Sequence, residues 1–374
     1  MKNCTILFLV LFLSVFYVNA ETAYQKVNTS VSGFEIDPDF NDEGVAVKTQ
    51  FNLGKSIFQT DTSFYSMFRI GWPSASYYRT EDGEFLNCVN CDGINIDEDI
   101  EYKRLHLEPT IGLIQDLGGN NFPSNSISAF LLYRARFDRN FENSEANQLF
   151  FNQTNALLDK EEIFQNSALA GLYVDTVYKN PIGKSLKGFY GEVAAESAPA
   201  FANSISDYVK LSMTLNGYLP LFNIVNSQNR HVFSMYIADY VGVDYVFGNS
   251  IPVNTRQLIG GLDPRYGMGG TVRGIAETRY DSVFKAVNSF EVRMNLPPIF
   301  HKDLVPGIMA GHDIGYWAGV DTDKNGWLNT SSAAVYLEVM DITQVMFYMH
   351  YLWDVKSLNG DTFIPFDFSI GFHF

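Results

Sequence analysis

Beyond its first twenty residues, the sequence has no continuous apolar stretch long enough to cross a bilayer as a helix. A transmembrane helix needs about 20 consecutive apolar residues. The mean hydropathy of the chain is −0.05, and only 18% of its residues are charged. The shortage of long apolar runs excludes a bundle of transmembrane helices.

Basic residues are scarce as well. The 374 residues include 26 lysines and arginines against 42 acids, which gives a formal net charge of −16. Surfaces that bind nucleic acids are basic, so no nucleic-acid partner is expected. The segment Asp321–Gly326 begins like a calcium-binding loop, but Ser332 stands where such a loop needs a glutamate. A polar turn is the simpler interpretation, and calcium is the open alternative.

Only three cysteines occur, and Cys4 lies in the N-terminal leader. Cys88 and Cys91 remain, which are too few for a zinc site of four thiolates. In an oxidising compartment they predict a small loop disulfide. A redox-active pair would need a βαβ context that the surrounding sequence does not show. No cofactor or metal is expected.

The leader itself has the features of a secretory signal peptide. Lys2 precedes an apolar run from Ile6 to Phe16, and Val18-Asn19-Ala20 fits a cleavage site after Ala20. A membrane anchor is the alternative, but the run is too short to span a bilayer. The expected organisation is a signal peptide at 1–20, a short periplasmic segment at 21–43 and a barrel at 44–374.

The dominant pattern in the remaining chain is an alternation of apolar and polar residues with period two. Aromatic residues reach 15% of the chain. Between 103 and 114, Leu105 and Leu107 alternate with Arg104, His106 and Glu108. A soluble sandwich also alternates, but runs of about ten residues with charges in mid-strand favour a transmembrane barrel with a wet lumen. The predicted fold is an all-β transmembrane antiparallel barrel.

Thirteen strands are predicted from this pattern. They span 44–53, 64–72, 103–115, 125–137, 167–179, 188–200, 206–219, 231–243, 286–296, 304–317, 332–341, 344–353 and 362–374. Bacterial single-chain barrels have even strand numbers, so at least one further strand is expected, with 54–102 as its place.

The last of these strands ends the chain in an aromatic alternation. Phe366, Phe368, Ile370, Phe372 and Phe374 share one face. A terminal phenylalanine on such a strand resembles the signal that the barrel assembly machinery reads. An ordinary closing strand that happens to end in phenylalanine is the alternative.

Four further blocks stand in the order found in the BamA/TamA superfamily. They are Leu258-Ile-Gly260-Gly261, Val272-Arg273-Gly274-Ile275, Asn288-Ser-Phe-Glu291-Val-Arg293 and His312-Asp313-Ile-Gly315. Upstream, the segment 173–183 resembles the superfamily's recurrent strand-and-turn motif. The chain resembles the barrel of this superfamily, which implies sixteen strands, although twelve to fourteen also agree with the pattern.

The resemblance also implies that the long sixth loop folds into the lumen. Arg273 would then meet Glu291 and Asp313, because a guanidinium fork fits carboxylates. Gly311 and Gly315 flank Asp313 and leave room for a partner. The alternative is an exposed loop with two unrelated luminal acids. Two departures from the family pattern, Ile275 and Gly311 in place of aromatic residues, predict different packing of the loop tip.

The function implied by the resemblance is protein insertion or translocation across the outer membrane, or a loop-plugged pore. Only 21–43 precede the first predicted strand, too few for a POTRA domain, so a barrel-only member is expected. Expected partners are outer-membrane lipids and lipopolysaccharide, the barrel assembly machinery, and separate periplasmic proteins or polypeptide substrates. A passive porin or structural barrel is one alternative. An outer-membrane lipid hydrolase using His312 or His350 is another, but no nucleophile elbow is present, so no enzyme is expected.

Overall fold

A computed structural model describes most of the chain after its N-terminal region. The described residues are 34–41, 44–55, 60–71, 74–77, 100–118, 126–140, 162–180, 182–203, 206–262, 264–266, 271–275, 282–318, 325–339, 343–353 and 363–371. The leader, Cys88, Cys91, residues 321–324, Phe372 and Phe374 lie outside these ranges. The described residues include no helix that is long and apolar enough to cross a membrane.

One large antiparallel sheet contains nearly all of the strands. Its members are β1 (Phe34–Asn41), β2 (Gly44–Lys55), β3 (Asp61–Gly71), β4 (Ser74–Tyr77), β5 (Ile100–Asp116), β6 (Ser126–Asn140), β7 (Glu162–Asp175), β8 (Tyr178–Lys179), β9 (Leu186–Ala198), β10 (Asp207–Val225), β11 (His231–Ser250), β14 (Phe284–Asn295), β15 (Leu304–Ala318), β16 (Asn325–Val339), β17 (Thr343–Leu352) and β18 (Phe366–Gly371). Between β11 and β14 lie a short helix, α1 (Val253–Gln257), and a small pair, β12 (Leu258–Ile259) with β13 (Arg265–Tyr266).

Each long strand of the large sheet pairs with its neighbours in sequence, from β1 to β18. The short strands β4 and β8 lie beside this path and bring the sheet to sixteen strands. The prediction of an all-β antiparallel fold is confirmed. Its five strands after the long loop, β14 to β18, agree with the count that the sequence motifs imply.

The two faces of the sheet have the opposite character to those of a soluble protein. Along β14 every second residue is buried, and these include Lys285, Glu291 and Arg293. Large apolar side chains point outward elsewhere, such as Leu131, which is 64% exposed. A polar interior and an apolar exterior are the pattern of strands that face lipid on one side and a lumen on the other.

The sheet curves around this polar interior. The Arg293 guanidinium on β14 lies 3.0 Å from Oε1 of Gln344 on β17. These strands are three steps apart, which is about 14 Å along a flat sheet. The contact therefore crosses the concave side, and inward side chains of distant strands meet in the lumen.

The first strand begins earlier than predicted. Phe34–Asn41 forms β1 and pairs with β2 along its whole length. The described sheet therefore begins at Phe34, ten residues before the predicted barrel boundary at residue 44. Asp37, Pro38 and Asp39 are unfavourable in strands, and they interrupt the alternation from which strands were predicted. Proline is tolerated in β1 because β1 is the edge strand of the described sheet and pairs there with β2 alone. Among the described residues between 54 and 102, the expected extra strand corresponds to the four-residue β4.

Candidate functional site: the luminal loop

Residues 251–283 connect β11 to β14, and the described parts of this loop (251–262, 264–266, 271–275 and 282–283) pack against the inward face of the sheet. Its described residues include several that are fully or nearly fully buried, among them Ile259, Val272 and Ile275. Strand β11 ends at Ser250, and helix α1 follows at Val253 near the start of the loop. The described residues of the loop therefore lie on the inner side of the curved sheet.

The tip of the loop is held by two carboxylates of the wall. Nε of Arg273 donates to Oδ2 of Asp313 at 2.7 Å, and its NH2 lies 2.5 Å from Oδ1. The backbone N–H of Arg273 also donates to Asp313, at 2.9 Å. Its NH1 donates to Glu291. The structure thus brings together the three residues that we call the lock, Arg273, Glu291 and Asp313.

Electrostatics favour the charged form of this arginine. Burial alone would lower the pKa of the Arg273 guanidinium, but the carboxylates of Asp313 and Glu291 outweigh burial and raise that pKa above its ordinary value. Both acids are almost completely buried, with 0% and 1% of their surfaces exposed. Buried charges need partners, so the arginine and the two acids depend on one another.

Two glycines make the close approach possible. A Cβ on Gly311 would lie 2.6 Å from NH2 of Arg273, so a side chain here would occupy the space of the guanidinium. Gly274 has a φ of +80°, and a Cβ there would meet Cβ of His350 at 2.8 Å. Gly315, the other glycine beside Asp313, is buried on the same inward face of β15.

Ile275, one of the two departures from the family pattern, is packed among apolar side chains at the loop tip. Its cluster contains Tyr240, Ile259, Val272, Val287, Trp317, Leu328 and Leu352. Ile275 also forms a β-bridge with Phe363, and the N–H of Ile364 donates to the carbonyl of Gly274 at 2.7 Å. The tip is therefore fixed by apolar and backbone contacts in addition to the lock.

A second attachment holds the Gly260-Gly261 segment against a different group of strands, on the same inner face of the sheet. Nζ of Lys210 donates to the carbonyl of Gly260 at 2.8 Å and pairs with Asp244 at 2.8 Å. The N–H of Gly260 donates to Asp244 at 3.0 Å. The N–H of Leu262 donates to Glu192 at 2.7 Å. One backbone segment thus satisfies charged groups from β9, β10 and β11.

Arg134 of β6 completes this attachment, which we call the lead-in anchor (Arg134, Glu192, Lys210 and Asp244 holding residues 260–262). Its NH2 donates to the carbonyls of Gly261 and Leu262, each at 3.0 Å. A Cβ on Gly261 would lie 2.4 Å from Cβ of Ala194. Glycine at this position therefore allows the backbone to lie directly on the wall.

The sequence motifs did not identify the lead-in anchor. Lys210 and Asp244 look like ordinary members of alternating strands, and nothing in their spacing singles them out from other luminal charges. The available signal was the Gly260-Gly261 pair itself, because adjacent glycines permit a close backbone approach. The carbonyl and N–H groups of these glycines need polar partners inside the barrel, and inward-facing charged residues on nearby strands can supply them.

The other candidate residues lie elsewhere. Phe366 and Phe368 are more than half exposed on the outer face of β18, and Phe366 stacks on Phe347. His312 and His350 each contact a serine: Nδ1 of His312 lies 2.9 Å from Oγ of Ser331, and Nδ1 of His350 lies 2.7 Å from Oγ of Ser332. The first pair faces outward and the second inward, so the structure does not bring them into one site.

Solved structures with a similar fold include two β-barrel proteins. The crystal structure of BamA from Haemophilus ducreyi lacking POTRA domains 1–3 superimposes on 90% of the chain, with a TM-score of 0.54 and 14% sequence identity. The chain has the fold of the BamA barrel. CdiB from Escherichia coli also matches over 90% of the chain, with a TM-score of 0.50 and 11% identity.

The BamA-like barrel covers 64% of the BamA chain and 60% of the CdiB chain, so it spans less than two thirds of either protein. No family model and no curated protein sequence matches it. The likeness is therefore one of architecture, and the predicted all-β antiparallel fold with a resemblance to the BamA barrel is confirmed at that level.

Proposed function

We propose that this chain is an outer-membrane barrel that inserts or translocates polypeptides and is closed at rest by loop 251–283. The observation that carries the proposal is the two-sided attachment of that loop. The lock holds its tip to β14 and β15, while the lead-in anchor holds residues 260–262 to strands β6, β9, β10 and β11. A passive porin needs an open lumen, and two anchors on different walls oppose that.

The apolar outer face supports the membrane location, and its contacts are expected to be lipid tails, with lipopolysaccharide in the outer leaflet. A non-catalytic role is also part of the proposal. Ser331, the outward serine beside His312, already accepts a hydrogen bond from Nε1 of Trp353 at 2.8 Å. A nucleophile needs a base and an oriented third group, and only the serine–histidine contact is present among the described residues here.

Insertion activity can be tested with liposomes that contain the purified full-length chain. A urea-unfolded eight-stranded outer-membrane protein is added, and its folding is followed by heat-modifiable gel migration. We expect folding several times faster than in empty liposomes or in liposomes that contain an unrelated porin. Equal rates in all three would contradict the insertion proposal, and large steady conductance in the same preparation would favour a passive pore.

The terminal aromatic residues are proposed to act as an assembly signal for the barrel assembly machinery. Phe366 and Phe368 leave their rings on the outer surface, where another protein can reach them. In cells, Phe374→Ala is expected to reduce the amount of folded protein in the outer membrane about five-fold or more, while the purified variant refolds in detergent as the wild type does. Equal amounts of variant and wild type in the membrane would contradict the assembly signal and favour an ordinary closing strand.

A further inference from the structure

A row of luminal side chains continues from the lock along the inside of the barrel. Glu291 accepts from NH1 of Arg273 with one oxygen and from Nε of Arg293 with the other, the latter at 2.5 Å. NH1 of Arg293 then donates to Oε1 of Gln344 at 3.0 Å. Glu291 and Arg293 are therefore each shared between two neighbours of the row.

The row ends at a turn on the inner side of the sheet, at the end of the strands that lies away from loop 251–283. Nε2 of Gln344 donates to Oε2 of Glu338 at 3.3 Å, and Oε1 of Glu338 accepts from Nζ of Lys179 at 2.7 Å. We call Arg273, Glu291, Arg293, Gln344, Glu338 and Lys179 the luminal relay. Lys179 belongs to the connection between β7 and β9, residues 176–185. In the antiparallel order, this connection and loop 251–283 lie at opposite ends of the strands.

The described residues of turn 176–185, which are 176–180 and 182–185, lie on the inner side of the sheet as well. Ser185 has no exposed surface, and Asn180 and Lys184 are less than one-tenth exposed. The carbonyl of Lys184 accepts from Nδ2 of Asn295 at 2.7 Å, and Oδ1 of Asn295 accepts from Tyr336 at 2.5 Å. Side chains of β14 and β16 therefore hold the turn at the end of the barrel that faces away from the loop.

We propose that the luminal relay couples the two ends of the barrel, so that release of Arg273 at the loop tip from the lock loosens turn 176–185 at the other end. The inference rests on the proposed function, in which the loop must open. When Arg273 leaves, Glu291 keeps Arg293 as its remaining cation, and Arg293 is drawn away from Gln344. Glu338 then loses the orientation of its amide partner, and the contact with Lys179 weakens.

The experiment measures access to the turn in the full-length protein, refolded in lipid, with Cys4, Cys88 and Cys91 replaced by serine. Ser185→Cys introduces a buried thiol of similar size, and a membrane-impermeant maleimide reports its exposure. Arg273→Ala is expected to raise the labelling rate about five-fold or more, the lower end of ordinary coupling between distant sites. An unchanged labelling rate in a folded Arg273→Ala protein would overturn the relay.

Two matched variants separate coupling from general loosening. Asp244→Asn weakens the lead-in anchor, which lies outside the luminal relay, and it should leave the labelling of Ser185→Cys near the wild-type rate. Gln344→Met removes the amide in the middle of the relay and keeps its volume. In that background, Arg273→Ala should no longer change the labelling rate. The proposal would be contradicted if Asp244→Asn raised the labelling rate as much as Arg273→Ala does. It would also be contradicted if Arg273→Ala raised the labelling rate equally in the Gln344→Met background and in the presence of Gln344.

Coupling between two sites is reciprocal, which provides a second test where Arg273→Ala folds poorly. Lys179→Met should increase the labelling of a Val272→Cys reporter at the loop tip by a comparable factor. Failure here with normal folding would also overturn the relay. Single-channel conductance of the same Arg273→Ala protein keeps the two proposals apart: conductance that rises without turn labelling refutes the relay alone, and conductance that does not rise refutes the loop closure itself.

Discussion

Replacing Arg273 with alanine is expected to release the loop tip and to destabilise the folded barrel. The guanidinium is the shared partner of Asp313 and Glu291, and both acids are buried. Removing one member of a buried ion pair typically costs about 3–5 kcal/mol, since the remaining charge has no compensation. Glu291 keeps Arg293, so the larger part of the loss should come from Asp313.

The temperature at which the folded band is lost on a gel measures the destabilisation, and limited proteolysis within 251–283 measures the release. Arg273→Lys is the matched control, because it keeps the charge but lacks the fork that contacts both acids. We expect it to fall between the wild type and Arg273→Ala in both measurements. An alanine variant with wild-type melting and protease resistance would show that the lock does not hold the loop.

Gly274→Ala is expected to have the second largest effect. The backbone φ of +80° is unfavourable for a residue with a Cβ, by roughly 1–2 kcal/mol. The added methyl group would also lie 2.8 Å from Cβ of His350, and overpacking of this kind costs about 1–3 kcal/mol. Both effects act on the residue next to Arg273, so the tip should move out of reach of Asp313.

Gly217→Ala is a suitable control, since a Cβ at that position on β10 meets no atom within 4 Å. We expect the control to melt as the wild type does and Gly274→Ala to melt several degrees lower, with faster cleavage of the loop. Equal melting of the two variants would mean that the loop tip adapts to a side chain at 274 without loss.

Much of the fold could be predicted because the strands have a simple physical pattern. An apolar outer face and a polar inner face produce an alternation that is visible at Leu105–Glu108 and throughout β14. The lock was also predictable, because Arg273, Glu291 and Asp313 lie in motifs of recognisable order. Strand β1 was missed because its acids and proline interrupt the alternation.

The lead-in anchor and the luminal relay could not be predicted from the sequence. Both depend on which inward residues meet across the curved sheet, and that depends on register and curvature rather than on spacing along the chain. Lys179 and Glu338 are 159 residues apart, yet they form an ion pair of 2.7 Å. Alternation shows that each faces the lumen but does not show which partner it finds there.

Single-channel conductance in a planar bilayer tests most directly whether loop 251–283 closes the lumen. The wild type, Arg273→Ala and the double variant Arg273→Ala/Asp244→Asn would be compared after refolding, with the folded state checked by gel migration. We expect small, brief current steps for the wild type, larger steps for Arg273→Ala, and the largest and longest openings when both anchors are weakened. Large, steady steps of the same size in all three proteins would contradict the closure.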